Sequence, residues 1–262
     1  MKLELYQIDA FTKTVFSGNP ACVVPLKKWL SDEILLKIAQ ENAVAETAFF
    51  VRGEDDFHLR WFTPDIEMDL CGHATLAAAH CIHAHLKHPD KPIVFNTQSG
   101  QLKVEVKEGL YTLDLPSRMP NAAELPIAIK EALSTQPKEV YKARDYLLIY
   151  EDEEQVKNIQ VDRQIFDQIN LGHGGVIVSA KGNHCDFVSR FFTPQATILE
   201  DPVTGSAHCT LTPFWAQHLQ KEKLFAKQIS ERGGNIVCKQ KDNRVLISGE
   251  AKTYAVGNCF IS

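Results

Sequence analysis

The sequence predicts a mixed fold of helices and strands, α/β of the α+β kind, built from two similar halves. The tripeptide Phe-Thr-Pro occurs twice, at residues 62–64 and 192–194, and each copy precedes a glycine, Gly72 or Gly205, that opens an apolar helix. The order of predicted elements around both copies is the same: helix, strand, turn, strand, glycine loop, helix, hairpin. Agreement of motif and order together indicates an internal duplication.

The bulk composition is that of a globular protein. The chain has 262 residues, of which 44% are hydrophobic and 23% charged, and its net charge is −5. No apolar run approaches the ~20 residues that cross a bilayer, and no cluster of Lys and Arg favours nucleic acid or an anionic membrane as partner. The N-terminus alternates like a strand and lacks the apolar core of a signal peptide, so we expect a cytoplasmic protein.

The first half reads as strands and helices in a regular order. Alternation and β-branched or aromatic runs predict strands, and an N-cap with acidic residues in the first turn predicts a helix. The elements expected are strands at 3–9 and 21–24, a helix after Ser31, strands at 45–51 and 57–62, a helix at 72–86, and a hairpin of 96–106 with 109–115.

The second half repeats this order with small changes. A loop with three prolines, 116–126, marks the boundary, so we predict domains at 1–117 and 118–262, with the last strand able to pack on the first domain. The expected elements are a helix at 162–169, strands at 174–178 and 186–192, a helix from Gly205 to Leu219, a hairpin of 234–238 with 244–247, and a strand at 251–260.

The two glycine turns are candidate anion-binding sites. Glycine lets a backbone approach a ligand closely, and the first N–H groups of a helix favour a negative group. Taken singly, each turn could instead be an ordinary helix start. As a matched pair, Gly72 and Gly205 favour binding of a carboxylate or enolate-like oxygen.

Glu46 stands out because it begins an apolar strand, where a charge is costly unless it is paired or functional. A partly buried carboxylate can serve as general base and then as acid. A surface glutamate at a strand edge is the alternative. The equivalent place in the second half lies near Gly174-Gly175, so the chain carries one such carboxylate.

Three further polar residues follow the turns. His73 comes directly after Gly72, where the helix dipole favours a neutral imidazole that could bind substrate or relay a proton. Asp201 could bind an amine or hydroxyl, or orient His73 or His208, and the alternative is a loop cap. Ser206 could bind substrate or serve as a helix N-cap.

Metal and nucleotide sites are not expected. His80, His83, His85 and His88 cluster near one helix end, but there is no HExxH motif, and solvated histidines explain them. The seven cysteines include no CxxC pair, so no disulfide framework is predicted. Only Cys71, at a helix start, lies where a thiolate would be stabilised. No glycine-rich nucleotide motif is present.

Five motifs in this order resemble the PhzF-like proteins of phenazine biosynthesis. They are Gly18-Asn19-Pro20, Glu46-Thr47-Ala48-Phe49, Phe62-Thr63-Pro64, Cys71-Gly72-His73-Ala74-Thr75 and Glu200-Asp201-Pro202-Val203-Thr204-Gly205-Ser206-Ala207. The resemblance implies a diaminopimelate epimerase-like fold, with two pseudo-symmetric domains, each a curved, mostly antiparallel sheet around a central helix, and the active site between them. It also implies a homodimer and no cofactor.

By position, the resemblance makes Glu46 the proton-shuttling residue, with His73 and Asp201 as its catalytic partners. Asn19, Gly72, His73, Gly205 and Ser206 are the implied substrate-binding residues. Related epimerases and proline racemases have two facing cysteines before the glycines, whereas this chain has Cys71 and Thr204. A serine often precedes the glutamate in the family, and here it is Ala45.

The function predicted is therefore a cofactor-independent isomerase. Glu46 would move a proton between carbons of a small unsaturated carboxylic acid, while the helix starts stabilise the developing negative charge. Two alternatives stay open: an epimerase or racemase of a small amino acid that uses Cys71, and a non-catalytic binding protein on the same fold.

Overall fold

The computed structural model describes residues 1–89 and 91–261. The chain forms two units: Met1–Asp114 with the chain from Ser248 onward, and Leu115–Ile247. The last strand thus belongs with the first unit, while the domain division at 117/118 stays a prediction. Among the described helices, none is long and apolar enough to span a membrane.

The chain up to Pro116 contains the following elements: β1 (Lys2–Ala10), β2 (Asn19–Leu26), α1 (Asp32–Asn42), β3 (Glu46–Arg52), β4 (Phe57–Phe62), β5 (Glu67–Met68), α2 (Gly72–His80), β6 (Ile93–Thr97), β7 (Gly100–Lys107) and β8 (Leu110–Pro116). A π-helical turn, Cys81–His85, continues α2.

The remaining elements are β9 (Asn121–Ala122), α3 (Ile127–Ala132), β10 (Glu139–Lys142), β11 (Tyr146–Ile149), α4 (Glu153–Asn158), α5 (Arg163–Phe166), β12 (Val176–Lys181), β13 (Phe187–Phe192), α6 (His208–Leu219), β14 (Lys223–Gln228), β15 (Gly234–Lys241), β16 (Arg244–Gly249) and β17 (Ala251–Phe260).

The strand pairings of the two units match step by step. In the first unit β2 and β3 are parallel, β3 and β4 antiparallel, β4 and β6 parallel, and β6 and β7 antiparallel. In the second unit β11 and β12 are parallel, β12 and β13 antiparallel, β13 and β14 parallel, and β14 and β15 antiparallel. The predicted pair of similar mixed folds is confirmed.

A buried helix lies in each unit. From Gly72 to Ala79 every residue of α2 is buried, and the helix packs against β1, β2 and β3. From His208 to Trp215 α6 is likewise buried and packs against β14 and β15. A helix that is apolar on all sides requires such enclosure, which is why these two, unlike the amphipathic α1, lack a polar face.

The repeat extends to the loop after each Phe-Thr-Pro. Phe62 lies opposite Glu67, and Phe192 lies opposite Glu200. Each glutamate precedes its glycine by five residues, so the three extra residues of the second loop fall between Pro194 and Glu200. Insertions before a fixed bridge are tolerated because they lengthen only the surface loop.

Several predicted boundaries were wrong. The strand predicted at 96–106 is two strands, because Thr97 caps the tight turn and Gly100 adopts φ +95°. Helix α6, predicted to begin at Gly205, begins at His208. It follows a turn whose hydrogen bonds span three residues. Seven short elements were missed, because short strands and helices carry little periodic signal: β5, β9, β10, β11, β14, α3 and α4.

Candidate functional site

Glu46 and His73 form a close polar pair in the first unit. Glu46 is the first residue of β3, and His73 is the second residue of α2. Glu46 Oε2 lies 3.0 Å from His73 Nε2, and the two side chains are 13% and 2% exposed. Within the described residues neither atom has a hydrogen-bond partner of good geometry. The contact is therefore an ion pair, and both atoms could still form hydrogen bonds to a ligand.

Cys71 lies on the other side of the same imidazole ring. It occupies the N-cap position of α2 in an extended conformation, and its Sγ is 3.5 Å from His73 Nδ1. The imidazole therefore stands between a thiol and a carboxylate. Such a line of groups can pass a proton in either direction.

The protonation states differ from those expected from the helix dipole alone. Burial and the Glu46 carboxylate raise the pKa of the Cys71 thiol to about 11, so the thiol is neutral at pH 7. Burial opposes protonation of His73, but negative charge at Cys71 and Glu46 outweighs it and raises the pKa of His73 well above its usual value. With Cys71 neutral near pH 7, the negative group that can favour a proton on His73 there is Glu46, whose Oε2 lies 3.0 Å from Nε2.

The two expectations of a neutral His73 and a stabilised Cys71 thiolate are therefore wrong. Both rested on the dipole at a helix start, worth ~0.3–1 kcal/mol at an exposed position. A carboxylate at 3.0 Å from His73 inside a buried site acts more strongly. Contact with Glu46 thus favours the protonated form of His73.

Glu46, Cys71 and His73 could also hold a metal ion, since each offers one ligand atom within 4.8 Å of the others. A metal would require a thiolate and a neutral imidazole. The raised pKa values of Cys71 and His73 oppose both forms. Metal binding would therefore have to displace a proton from each of these two side chains.

In the second unit, Asp201 is held by a polar loop around Thr204. Thr204 Oγ1 donates to Asp201 Oδ2 at 2.6 Å, and Thr204 N–H donates to Gln228 Oε1 at 2.8 Å. Gln228 Nε2 in turn donates to the Asp201 carbonyl at 2.7 Å. Thr204 occupies the position equivalent to Cys71, so this half has a hydroxyl where the other has a thiol.

Ser206 occupies the position equivalent to His73, in the turn that starts at Gly205. It is 8% exposed, and its Oγ accepts a hydrogen bond from Arg144 Nη2 at 2.9 Å. Arg144 also pairs with the buried carboxylate of Asp145. Sequence reasoning missed both residues, although they stand before the apolar strand β11 as Glu46 stands at the start of β3.

The register confirms that Gly175 takes the place of Glu46. Thr47 pairs with Phe62 in the first unit, and Val176 pairs with Phe192 in the second. The residue before each, Glu46 or Gly175, is therefore equivalent. A Cβ at Gly175 would lie 2.4 Å from the Phe191 ring, so no side chain fits there. The second unit therefore has no carboxylate at the position equivalent to Glu46.

The remaining predicted residues are placed as follows. Asn19 is the first residue of β2 and is fully buried, next to Gly18, whose φ is +71°. Gly72 is the first residue of α2. The structure gives these positions, and the substrate-binding roles of Asn19, Gly72, Gly205 and Ser206 stay predictions.

The histidine cluster is not a set of solvated side chains. His80 Nδ1 and Nε2 lie 2.9 Å from the hydroxyls of Tyr111 and Thr253, and His85 shares Thr253 at 2.8 Å. Burial and the neighbouring His85 and His83 lower the pKa of His80 to about 4. The expectation was wrong because β17, which carries Thr253, covers this helix end in the first unit.

His208 gives a prediction about acid stability. Its Nδ1–H donates to the Thr204 carbonyl at 2.8 Å, and burial lowers the pKa of His208 to about 4. The unfolded chain takes up this proton near pH 6.5, so stability present above that pH is lost as pH falls. We expect the free energy of unfolding to drop by up to about 3 kcal/mol between pH 6.5 and 4.

Urea unfolding across this pH range measures the effect. His208→Gln keeps an amide donor for the Thr204 carbonyl but does not titrate, so its stability should vary less steeply with pH. The matched control is His173→Gln at an exposed position. A pH slope that is the same in all three proteins contradicts the assignment.

Comparison with known proteins gives one consistent result. The family model described as phenazine biosynthesis-like protein (PhzC-PhzF) matches residues 8–257. A Pseudomonas aeruginosa protein named as an uncharacterized isomerase is 44% identical over 100% of both chains. The crystal structure of a PhzF-family phenazine biosynthesis protein from Enterococcus faecalis is also 44% identical, covers 100% of both chains and has a TM-score of 0.94.

A more distant structure bears on the fold alone. A hydroxyproline epimerase from Agrobacterium vitis has a TM-score of 0.63 at 10% identity, covering 98% of this chain and 92% of that one. The predicted epimerase-like fold class is confirmed by this likeness and by the matching pairings of the two units.

Proposed function

Because the chain belongs to the PhzC-PhzF family of phenazine biosynthesis-like proteins, we propose that it is a cofactor-independent isomerase of the PhzF-like type. The reaction moves a proton between two carbons of a small unsaturated carboxylic acid. The isomerase names of its relatives support the enzyme class. The observation that carries the mechanism is the buried contact of 3.0 Å between Glu46 Oε2 and His73 Nε2.

The Glu46 carboxylate begins the reaction by taking a proton from a carbon next to the substrate carboxylate. The C–H bond breaks, a carboxylic O–H bond forms, and the electron pair spreads into the unsaturated acid. Backbone N–H groups at the start of α2, at Gly72, favour this developing negative charge. Their position is fixed before the reaction, so little reorganisation is needed.

The charge pair then supplies the proton that is returned. His73 holds its proton because of the neighbouring Glu46 carboxylate, so neutralising that carboxylate makes the imidazolium a stronger acid. Either Glu46 itself or His73 can deliver a proton to the second carbon. If His73 delivers it, Glu46 passes its proton to the imidazole, and the resting pair is restored.

The second unit supplies further groups in this proposal. Asp201 is proposed as a catalytic partner, and its tight hydrogen bond from Thr204 at 2.6 Å supports a fixed orientation. Gly205, Ser206 and Asn19 are proposed to bind substrate. A homodimer is the proposed assembly.

The test is a screen of small unsaturated acids and amino acids in deuterated water, read by NMR. We expect deuterium to enter an unsaturated acid at two carbons, with migration of the double bond. Exchange at a single α-carbon of an amino acid, with inversion, supports the epimerase alternative instead. Ligand binding without exchange at any carbon contradicts enzyme function on these compounds.

A Cys71-dependent epimerase is the second candidate, because Cys71 Sγ lies 3.5 Å from His73 Nδ1. Its thiol has a pKa of about 11, and the equivalent position holds Thr204 rather than a second thiol. Both facts weigh against two-thiol catalysis. Exchange that survives Glu46→Gln and disappears in Cys71→Ala would favour this candidate.

A further inference from the structure

The guanidinium of Arg144, a partly buried residue of the second unit, has an unused donor. Arg144 directs Nε to Asp145 Oδ1 at 3.2 Å and Nη2 to Asp145 Oδ2 at 3.3 Å. Nη2 also donates to Ser206 Oγ at 2.9 Å. Nη1 is buried, and within the described residues it has no hydrogen-bond partner. A buried donor without an acceptor lowers stability by ~1–3 kcal/mol, so binding of an acceptor at Nη1 would be favourable.

The shape of the guanidinium indicates where such an acceptor would bind. The group is planar, with donors in a fixed fork. Asp145 occupies the edge formed by Nε and Nη2. Ser206 Oγ occupies one donor of the other edge, formed by Nη2 and Nη1. An acceptor on Nη1 can therefore lie beside Ser206 Oγ, whose own proton is free to donate because Oγ accepts from Arg144.

Arg144 is firmly held in this place. Asp145 is 1% exposed, and its Oδ1 also accepts the Gly175 N–H at 2.9 Å. Asp145 precedes β11, and Gly175 precedes the parallel strand β12. The carboxylate thus ties the guanidinium to the ends of two adjacent strands, so the donor fork is preorganised and little entropy is lost on binding.

Three arginines of the second unit act on Cys209, in the first turn of α6. Burial raises the pKa of Cys209 to about 11, while Arg118, Arg144 and Arg244 act in the opposite direction and Asp145 adds to the rise. Arg118 donates its backbone N–H to the Cys209 carbonyl at 2.8 Å. Its own Nη1 is buried and, among the described residues, lacks a hydrogen-bond partner. An anion is the ligand that the free Nη1 donor of Arg144 favours.

We propose that Arg144 and Ser206 form a binding site for the carboxylate group of a small acid. One carboxylate oxygen accepts from Arg144 Nη1, and the Ser206 hydroxyl donates to the same carboxylate. A planar carboxylate matches this arrangement, since two of its oxygens can be served by donors that lie side by side. Because Ser206 is also a proposed substrate-binding residue, the identity of the acid rests on the proposed function, whereas binding itself needs no proton transfer by Glu46.

The test is isothermal titration calorimetry of the full chain with benzoate and with benzamide. The two probes have nearly the same shape and differ in charge. We expect benzoate to bind and benzamide to bind at least about tenfold more weakly, as the loss of a charged hydrogen bond implies. Arg144→Gln should weaken benzoate binding by at least about tenfold, and Arg144→Lys by less.

The matched control is Arg163→Gln, which removes an arginine of the same unit whose side chain is 47% exposed. It should leave benzoate binding unchanged. Ser206→Ala tests the second donor and should weaken benzoate binding even if Arg144→Gln fails to fold. Equal binding of the two probes, no binding of benzoate to the natural protein, or full binding by both site variants overturns the proposal.

The outcome separates from that of the proposed function. Benzoate has no proton for Glu46 to move between carbons, so its binding reports the anion site alone. Failure of the exchange screen with intact benzoate binding rejects the isomerase proposal only. Exchange activity without charge-dependent binding rejects the Arg144 site only.

Discussion

Replacing Glu46 by glutamine should lower the rate of proton exchange into substrate by about 10²–10⁴-fold, the range over which a general acid–base group contributes. The amide keeps the size of the side chain but cannot accept the proton from carbon. Because Glu46 carries the charge that holds the proton on His73, the variant should also release that proton at a lower pH. NMR in deuterated water, on the acid identified by the screen, measures the rate.

Glu41→Gln is the control for this variant. Glu41 is exposed on α1, five residues before Glu46, and its loss should leave exchange unchanged. The imidazole signal of His73, followed by NMR across pH, gives a second readout. If Glu46→Gln exchanges protons at the natural rate, Glu46 is not the base. If the titration of His73 does not move, the charge pair does not set its protonation.

Arg190→Met should destabilise the second unit by about 3 kcal/mol, because a partly buried ion pair and several hydrogen bonds from a charged group are lost. Arg190, whose side chain is 14% exposed, binds both carboxylate oxygens of Glu200 at 2.7 and 2.8 Å. Its Nη1 also donates to three carbonyls at the end of α4, those of Val156, Lys157 and Ile159. Methionine fills part of the volume but satisfies none of these acceptors.

The internal repeat provides the matched comparison. Arg60 occupies the equivalent position in β4 and binds Glu67 through two hydrogen bonds and the exposed Asp32 through one. We expect Arg60→Met to cost less, because Asp32 is 77% exposed and regains its hydration. Urea unfolding gives the free energies, and hydrogen exchange locates the change. Equal losses, or unchanged protection of α4 in Arg190→Met, contradict this account.

The sequence by itself determined the repeat and most of its consequences. The two Phe-Thr-Pro segments and their glycines located matched strands and helices, because the hydrophobic pattern and the turn residues are local signals. The same reading singled out Glu46, since a charge at the start of an apolar strand is conspicuous without any structure. It also predicted that the position equivalent to Glu46 in the second half lies near Gly175 and has no carboxylate, and the strand register confirms this.

Only the tertiary structure decided which polar groups meet. Glu46 and His73 are 27 positions apart in the chain, and their contact depends on how α2 packs against β3. The protonation of His73 followed from that contact rather than from the helix dipole. Arg144 and Ser206, 62 positions apart, meet for the same reason. Local sequence patterns predict the helices and strands. The protonation of a group at a buried site depends instead on neighbours that are distant in sequence, because their separation and their burial set the electrostatic energies.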